Sequence, residues 1–119
     1  MGAGYAVLTI EQGSLFSTTL ELKDGNDNAI DLTGYTGQSY FRKSYYSDNN
    51  VYQLTVGVNS PETDGKITLS ATSEYTETVK PGRYVYDVEI ISGGTRTRVL
   101  EGIVDVKPNA TKIGATGPL

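Results

Sequence analysis

Apolar and polar residues alternate along most of this chain with a period of two, the mark of strands that bury one face. Tyr5 to Ile10 (YAVLTI) reads as a first strand. In "SLFSTTLELK", Phe16, Thr18, Leu20 and Leu22 share one face, and Ser17, Thr19, Glu21 and Lys23 the other. "DGNDNAIDLTGY" then breaks the pattern with Asp, Asn and Gly, which favour turns and left-handed backbone. "TGQSYFRKSYY" resumes an extended pattern in which Tyr40 and Phe41 compete for the inward position. "SDNN" is a turn, "VYQLTVGV" a strand, and "NSPETDG" a loop closed by Asp64-Gly65. "KITLS" follows, with Ile67 and Leu69 facing one way.

"ATSEYTETVKPG" has no strand pattern; Thr72 or Ser73 is placed to cap one helical turn before Pro81-Gly82 ends it. The final third carries the strongest signal. "RYVYDVEII", Ser92-Gly93-Gly94 and "TRTRVLEGIVDVK" predict a long antiparallel hairpin. Tyr84, Tyr86, Val88 and Ile90 share one of its faces, and Arg83, Val85, Asp87 and Glu89 the other. Leu100, Gly102, Val104 and Val106 are in phase on the return strand. About seven short strands separated by regular turns predict an all-β fold, an antiparallel immunoglobulin-like sandwich rather than a closed up-and-down barrel. The expected organisation is one domain over residues 1–111 and a tail over 112–119.

Composition narrows the chemistry. The 119 residues carry a net charge of −4, with Lys and Arg scattered, so there is no basic footprint for nucleic acid or membrane. Without cysteine or histidine, disulfides, thiolate sites and the usual general base are excluded. Serine and threonine are abundant, but only carboxylate or lysine is on hand to activate them. An enzyme is not expected, and neither is a cofactor or a resident metal. No apolar run approaches the roughly 18 residues that cross a bilayer as a helix. The "MGAGYAVLTI" start lacks the basic and apolar regions of a signal peptide. Its Met-Gly opens a myristoylation pattern, but Ala6 stands where Ser or Thr is required, and a start left by cloning is the blander reading.

Each chemical candidate has a structural competitor. Asp87 and Glu89 lie two apart on one strand face, roughly 7 Å, a spacing open to glycosidase chemistry. Alternating polar residues on a solvated sheet face explain them as well, and that reading is preferred. Asp24, Asn26 and Asp27 invite a calcium reading, yet counting an EF-hand from Asp24 puts Ala29 and Tyr35 where Gly and Glu are needed. A hairpin tip is the default there. Nine tyrosines stand against two phenylalanines and no tryptophan. Tyr35, Tyr40, Tyr45, Tyr46 and Tyr52 cluster mid-chain, a contact surface if exposed and core if they line the sandwich. Of these, Tyr45, Tyr46 and Tyr52 are the candidate partner contacts, for protein in preference to sugar, since a sugar site more usually includes tryptophan. Asn109 to Thr111 fits a glycosylation sequon and receives little weight. Gly114 to Leu119 (GATGPL) makes two Gly-X-Y triplets, the start of a fibrous segment or a flexible tail.

Pro81-Gly82 before a Tyr-x-Tyr strand matches the corner that opens strand F of immunoglobulin-like domains. Tyr84 is expected to turn its hydroxyl back to an upstream backbone group. Tyr86 is expected to fill the volume that a disulfide cysteine takes in antibody domains. Together with Ile30-Asp31-Leu32-Thr33-Gly34 and the run Pro81-Gly82-x-Tyr84-x-Tyr86-Asp87, the chain from about Glu11 to Thr111 resembles an immunoglobulin-like domain of tailed-bacteriophage virion proteins. Such domains occur at the N-terminus of upper baseplate proteins, in tail fibres and in structural proteins of T4-like cyanophages. The resemblance implies a non-catalytic building block located in the virion, with other virion proteins or further copies of itself as partners. The alternative is an adhesin that touches host glycans through Tyr45, Tyr46 and Tyr52. A third reading, a small hydrolase using Asp87 and Glu89, is the weakest.

Overall fold

A computed structural model describes residues 4–46 and 51–110. Among the described residues seven strands form in chain order: β1 (Gly4–Glu11), β2 (Phe16–Glu21), β3 (Thr36–Arg42), β4 (Tyr52–Val58), β5 (Lys66–Ala71), β6 (Gly82–Ser92) and β7 (Thr95–Lys107). A five-residue helix, α1 (Ser73–Glu77), lies between β5 and β6. Neighbouring strands run in the order β1-β7-β6-β3-β4-β5-β2. The ladder folds over at β4, whose Tyr52 and Leu54 face β3 partners while Thr55 to Val58 pair with β5. One layer therefore holds β1, β7, β6 and β3, the other β5 and β2, and β4 passes between them.

The fold is all-β and is an immunoglobulin-like sandwich, as the alternation predicts. One element departs from the fully antiparallel expectation: β1 runs parallel to β7, Gly4 opposite Leu100 through Glu11 opposite Lys107. The reason lies in the connection. Gln12 to Leu15 does not turn β1 back on itself but carries the chain into the other layer, where β2 pairs with β5. The free edge of β7 is then left for β1 to enter in the same direction.

The core forms where the inward faces meet. Leu8, Ile10, Phe41, Val88 and Val104 come from one layer, Leu54, Ile67 and Leu69 span the fold and the other, and all are buried. Phe41 points in and Tyr40 out, which settles the register of β3. Phe16, Thr18 and Leu20 are half-buried and Leu22 buried, while Ser17, Thr19 and Glu21 are exposed, as their alternation demands. The β6–β7 hairpin closes through Gly93 and Gly94, both with positive φ (56° and 84°), the backbone a tight two-residue turn requires. A bulge between Val88 and Glu89 lets Val99 and Leu100 both turn inward.

Thr72 caps α1, its hydroxyl accepting from the Tyr75 N–H at 3.2 Å, and the helix ends at Thr78, ahead of Pro81-Gly82. In "IDLTG", Asp31 accepts from the Thr33 N–H (3.0 Å) and hydroxyl (2.6 Å), and Gly34 has φ 81°. That turn drives Leu32 fully into the core, so the motif is a structural pin. The "SDNN" turn, the Met-Gly start, Thr111 of the sequon and the 112–119 tail lie outside the described residues.

Candidate contact surface

Strand β6 places different chemistry on its two faces. Inward, the tyrosine corner forms as expected: the Tyr84 hydroxyl donates to the Lys80 carbonyl at 2.6 Å. The Tyr84 ring meets Phe41 edge-on at 5.3 Å and Tyr52 at 5.7 Å, with the Lys43 ammonium 4.4 Å from its centroid. Burial above all, then the neighbouring Tyr52, pushes the Tyr84 hydroxyl up to about 12. Two residues on, Tyr86 lies opposite Gly102 of β7, which lies opposite Ala6 of β1. Because Gly102 has no side chain, the Tyr86 ring crosses β7 and its hydroxyl donates to the Ala6 carbonyl at 2.9 Å. A Cβ at Gly102 would collide with that same carbonyl oxygen. Burial likewise raises Tyr86 to about 12.

Outward, the carboxylates are held by arginines. Asp87 sits 3.5 Å from the Arg98 Nε, and Glu89 sits 3.9 Å from Arg96 while accepting from the Gln38 amide at 3.2 Å. Partial burial raises Asp87 above the ordinary carboxylate value, against the pull of Arg98. The same face carries two cross-strand rows. Tyr5, Glu101, Asp87 and Tyr40 form one across β1, β7, β6 and β3. Val7, Ile103, Val85 and Arg42 form the next. Tyr5 and Val7 are 69% and 61% exposed, large values for residues in mid-strand. Gln38, Tyr40, Arg42, Tyr45, Arg96 and Arg98 border a shallow groove of about 460 Å³ on this side.

The three tyrosines singled out from the sequence do not form one cluster. Tyr45 and Tyr46 are exposed just beyond β3. Tyr45 lies close enough to Glu101 and Asp87 for burial and their charges to raise its pKa. Tyr52 is half-buried instead, stacked on Phe41 at 5.3 Å and edge-on to Tyr75 at 6.5 Å. Tyr40, one of the mid-chain tyrosines, is exposed on β3, whereas sequence reasoning passed over Tyr5 and Val7 as contact residues. The signal that finds them is a run of apolar side chains in the outward phase of β1. In the Asp24 loop, Asp24 accepts from the Asn26 and Asn28 N–H groups (2.8 and 3.0 Å), and Lys23 bridges back to Ala29. Asp27 pairs with Lys23 at 3.5 Å, so the loop is a self-satisfied hairpin tip. Among the described residues no group of three acidic side chains is placed to hold a metal ion.

The corner between β1 and β2 is pinned from α1. The buried Thr76 hydroxyl accepts from the Gly13 N–H at 3.1 Å and donates to the Ser14 carbonyl at 2.9 Å. The Gln12 amide donates to the Val79 carbonyl at 3.0 Å. None of these contacts is visible in the sequence pattern.

No protein-family profile matches the chain, and no curated protein matches it. Among solved structures it is similar to InlP of Listeria monocytogenes (TM-score 0.49, 20% identity), covering 88% of this chain and 27% of that one. It is similar to the Lin-41 filamin domain (TM-score 0.45, 15% identity), covering 83% and 82%. A family 123 glycoside hydrolase from Clostridium perfringens, described as hydrolysing glycolipid glycans, scores 0.40 at 7% identity, covering 92% and 24%. The chain thus spans about a quarter of the InlP and hydrolase chains. At these scores and identities none of the three bears on the activity of this protein.

Proposed function

We propose that this domain is a non-catalytic structural or attachment module of a bacteriophage particle, working through protein–protein contacts. The observation that carries the reading is the outer face of the β1-β7-β6-β3 layer. There Tyr5, Val7, Tyr40 and Tyr45 project beside carboxylates already neutralised by Arg96 and Arg98. Rigid aromatic side chains among satisfied charges suit a contact surface, because they bury area at little entropic cost. Asp87 and Glu89, each held by an arginine, are poorly placed to exchange a proton with a substrate. The virion context comes from the "IDLTG" and "PGRYVYD" motifs. Antibody labelling of purified particles tests it: label at a fixed place on the virion supports the assignment, and its absence from intact and disassembled particles sinks it.

A second reading has its own observation. The groove that joins Tyr40 and Tyr45 to Gln38, Arg42, Arg96 and Arg98 offers ring faces and polar donors of the kind a sugar uses. A glycan array separates the readings, since specific binding lost in Tyr40→Ala with Tyr45→Ala would favour a host-glycan adhesin.

A further inference from the structure

The two outer edges of the folded ladder, β1 and β2, are built differently. The β2 end carries Glu21 and Lys23, ion-paired at 3.1 Å, and charges at an edge discourage pairing with another chain. From Gly4 to Ile10, β1 has no charge, no proline and no bulge against β7. Its backbone polarity can be assigned. The Gln12 N–H donates to the Lys107 carbonyl at 2.9 Å, so the even-numbered residues of β1 direct their N–H and C=O groups at β7. By alternation, Tyr5, Val7 and Thr9 direct theirs outward, away from the sheet. The edge is also preorganised, because Thr76 and Gln12 anchor the corner that follows it.

We propose that β1 is a homotypic docking edge, pairing antiparallel with β1 of a second copy about a two-fold axis at Val7. This partner deepens the contact-module reading and rests on it. In this register Val7 opposes Val7 of the second copy, and Tyr5 opposes Thr9. All three are residues whose backbone groups face out, so each pair exchanges both of its hydrogen bonds. The register is self-complementary, as a two-fold interface requires. It is also electrostatically clean in a protein of net charge −4, for it brings together neutral residues and leaves the two Glu11 side chains beyond the paired stretch. Side-chain packing continues across the axis, because Val7 is the exposed end of the row through Ile103 and Val85. A strand with a charged residue opposite Val7 would use the same hydrogen bonds but forfeit that apolar continuity. A second copy supplies it without any further element.

Sedimentation equilibrium of the full chain over a concentration series reads the outcome. The wild type is expected to reach dimer mass. Val7→Lys, which sets like charges opposite one another at the axis, should weaken association by about tenfold or more. Thr19→Lys on β2 should leave it unchanged. Amide exchange on the wild type gives a check that needs no variant: the Tyr5, Val7 and Thr9 amides should gain protection as concentration rises, while those of Ala6 and Leu8 stay protected throughout. A monomer at every concentration, or a dimer indifferent to Val7→Lys, overturns the edge pairing. Neither result touches particle labelling, so the edge and the virion assignment fail separately.

Discussion

The two faces of β6 differ by one residue of phase and by almost everything else. Tyr84 and Tyr86 point inward, and each spends its hydroxyl on a backbone carbonyl, that of Lys80 and that of Ala6. Asp87 and Glu89 point outward and find arginines across the hairpin. The inward pair locks geometry: Tyr84 fixes the corner that starts β6, and Tyr86 ties β6 to β1 across an intervening strand. The outward pair neutralises charge on a face left open for contact. A polar group inside must be satisfied at a specific atom, whereas outside water shares the task.

Gly102→Ala would break the contrast most severely. With φ at 158° and the Ala6 carbonyl in the space a Cβ needs, β1 must shift off β7. A loss of about 3 kcal/mol or more is expected, read as a lower midpoint in urea unfolding. Tyr86→Phe and Tyr84→Phe come next. Each keeps the ring and removes one buried hydroxyl bond, a loss of about 1–2 kcal/mol measured the same way. If Tyr86→Phe changes nothing, the strap to Ala6 is incidental.

Alkaline pH tests the same two groups without mutation. Both hydroxyls are raised from 10.0 to about 12 in the folded protein. Their contribution is therefore complete below pH 10 and is lost as pH rises through the folded values, because the unfolded chain ionises first. Stability should fall over that window in the wild type and less steeply in the double Phe variant. The smallest effect belongs to the outer face. Asp87→Asn with Glu89→Gln should alter stability by no more than about 0.5 kcal/mol per site, since partly exposed ion pairs contribute little. A larger loss would mean that the outer pairs also carry the fold.

The alternation of side chains determined the strands, their inward faces, the hairpin turn at Gly93-Gly94 and the tyrosine corner. These are local or nearly local: a period of two, a left-handed glycine pair and a Pro-Gly before Tyr act within a few residues of themselves. Only the tertiary structure decided the rest. That β1 runs parallel to β7 depends on which layer the Gln12 to Leu15 corner enters, and Thr76 of α1 and the Val79 carbonyl, more than sixty residues away, hold that corner. The choice of Phe41 over Tyr40 came from the partners across the sheet, Tyr86 and Tyr52, rather than from β3. Tyr52 left the exposed tyrosines for the same reason, because the volume beside Phe41 and Tyr84 is where β4 crosses between layers. Gly102 read as one more in-phase small residue, and its purpose exists only once Tyr86 and Ala6 flank it. Periodicity tells a side chain which way to face; it does not tell it what it will meet there.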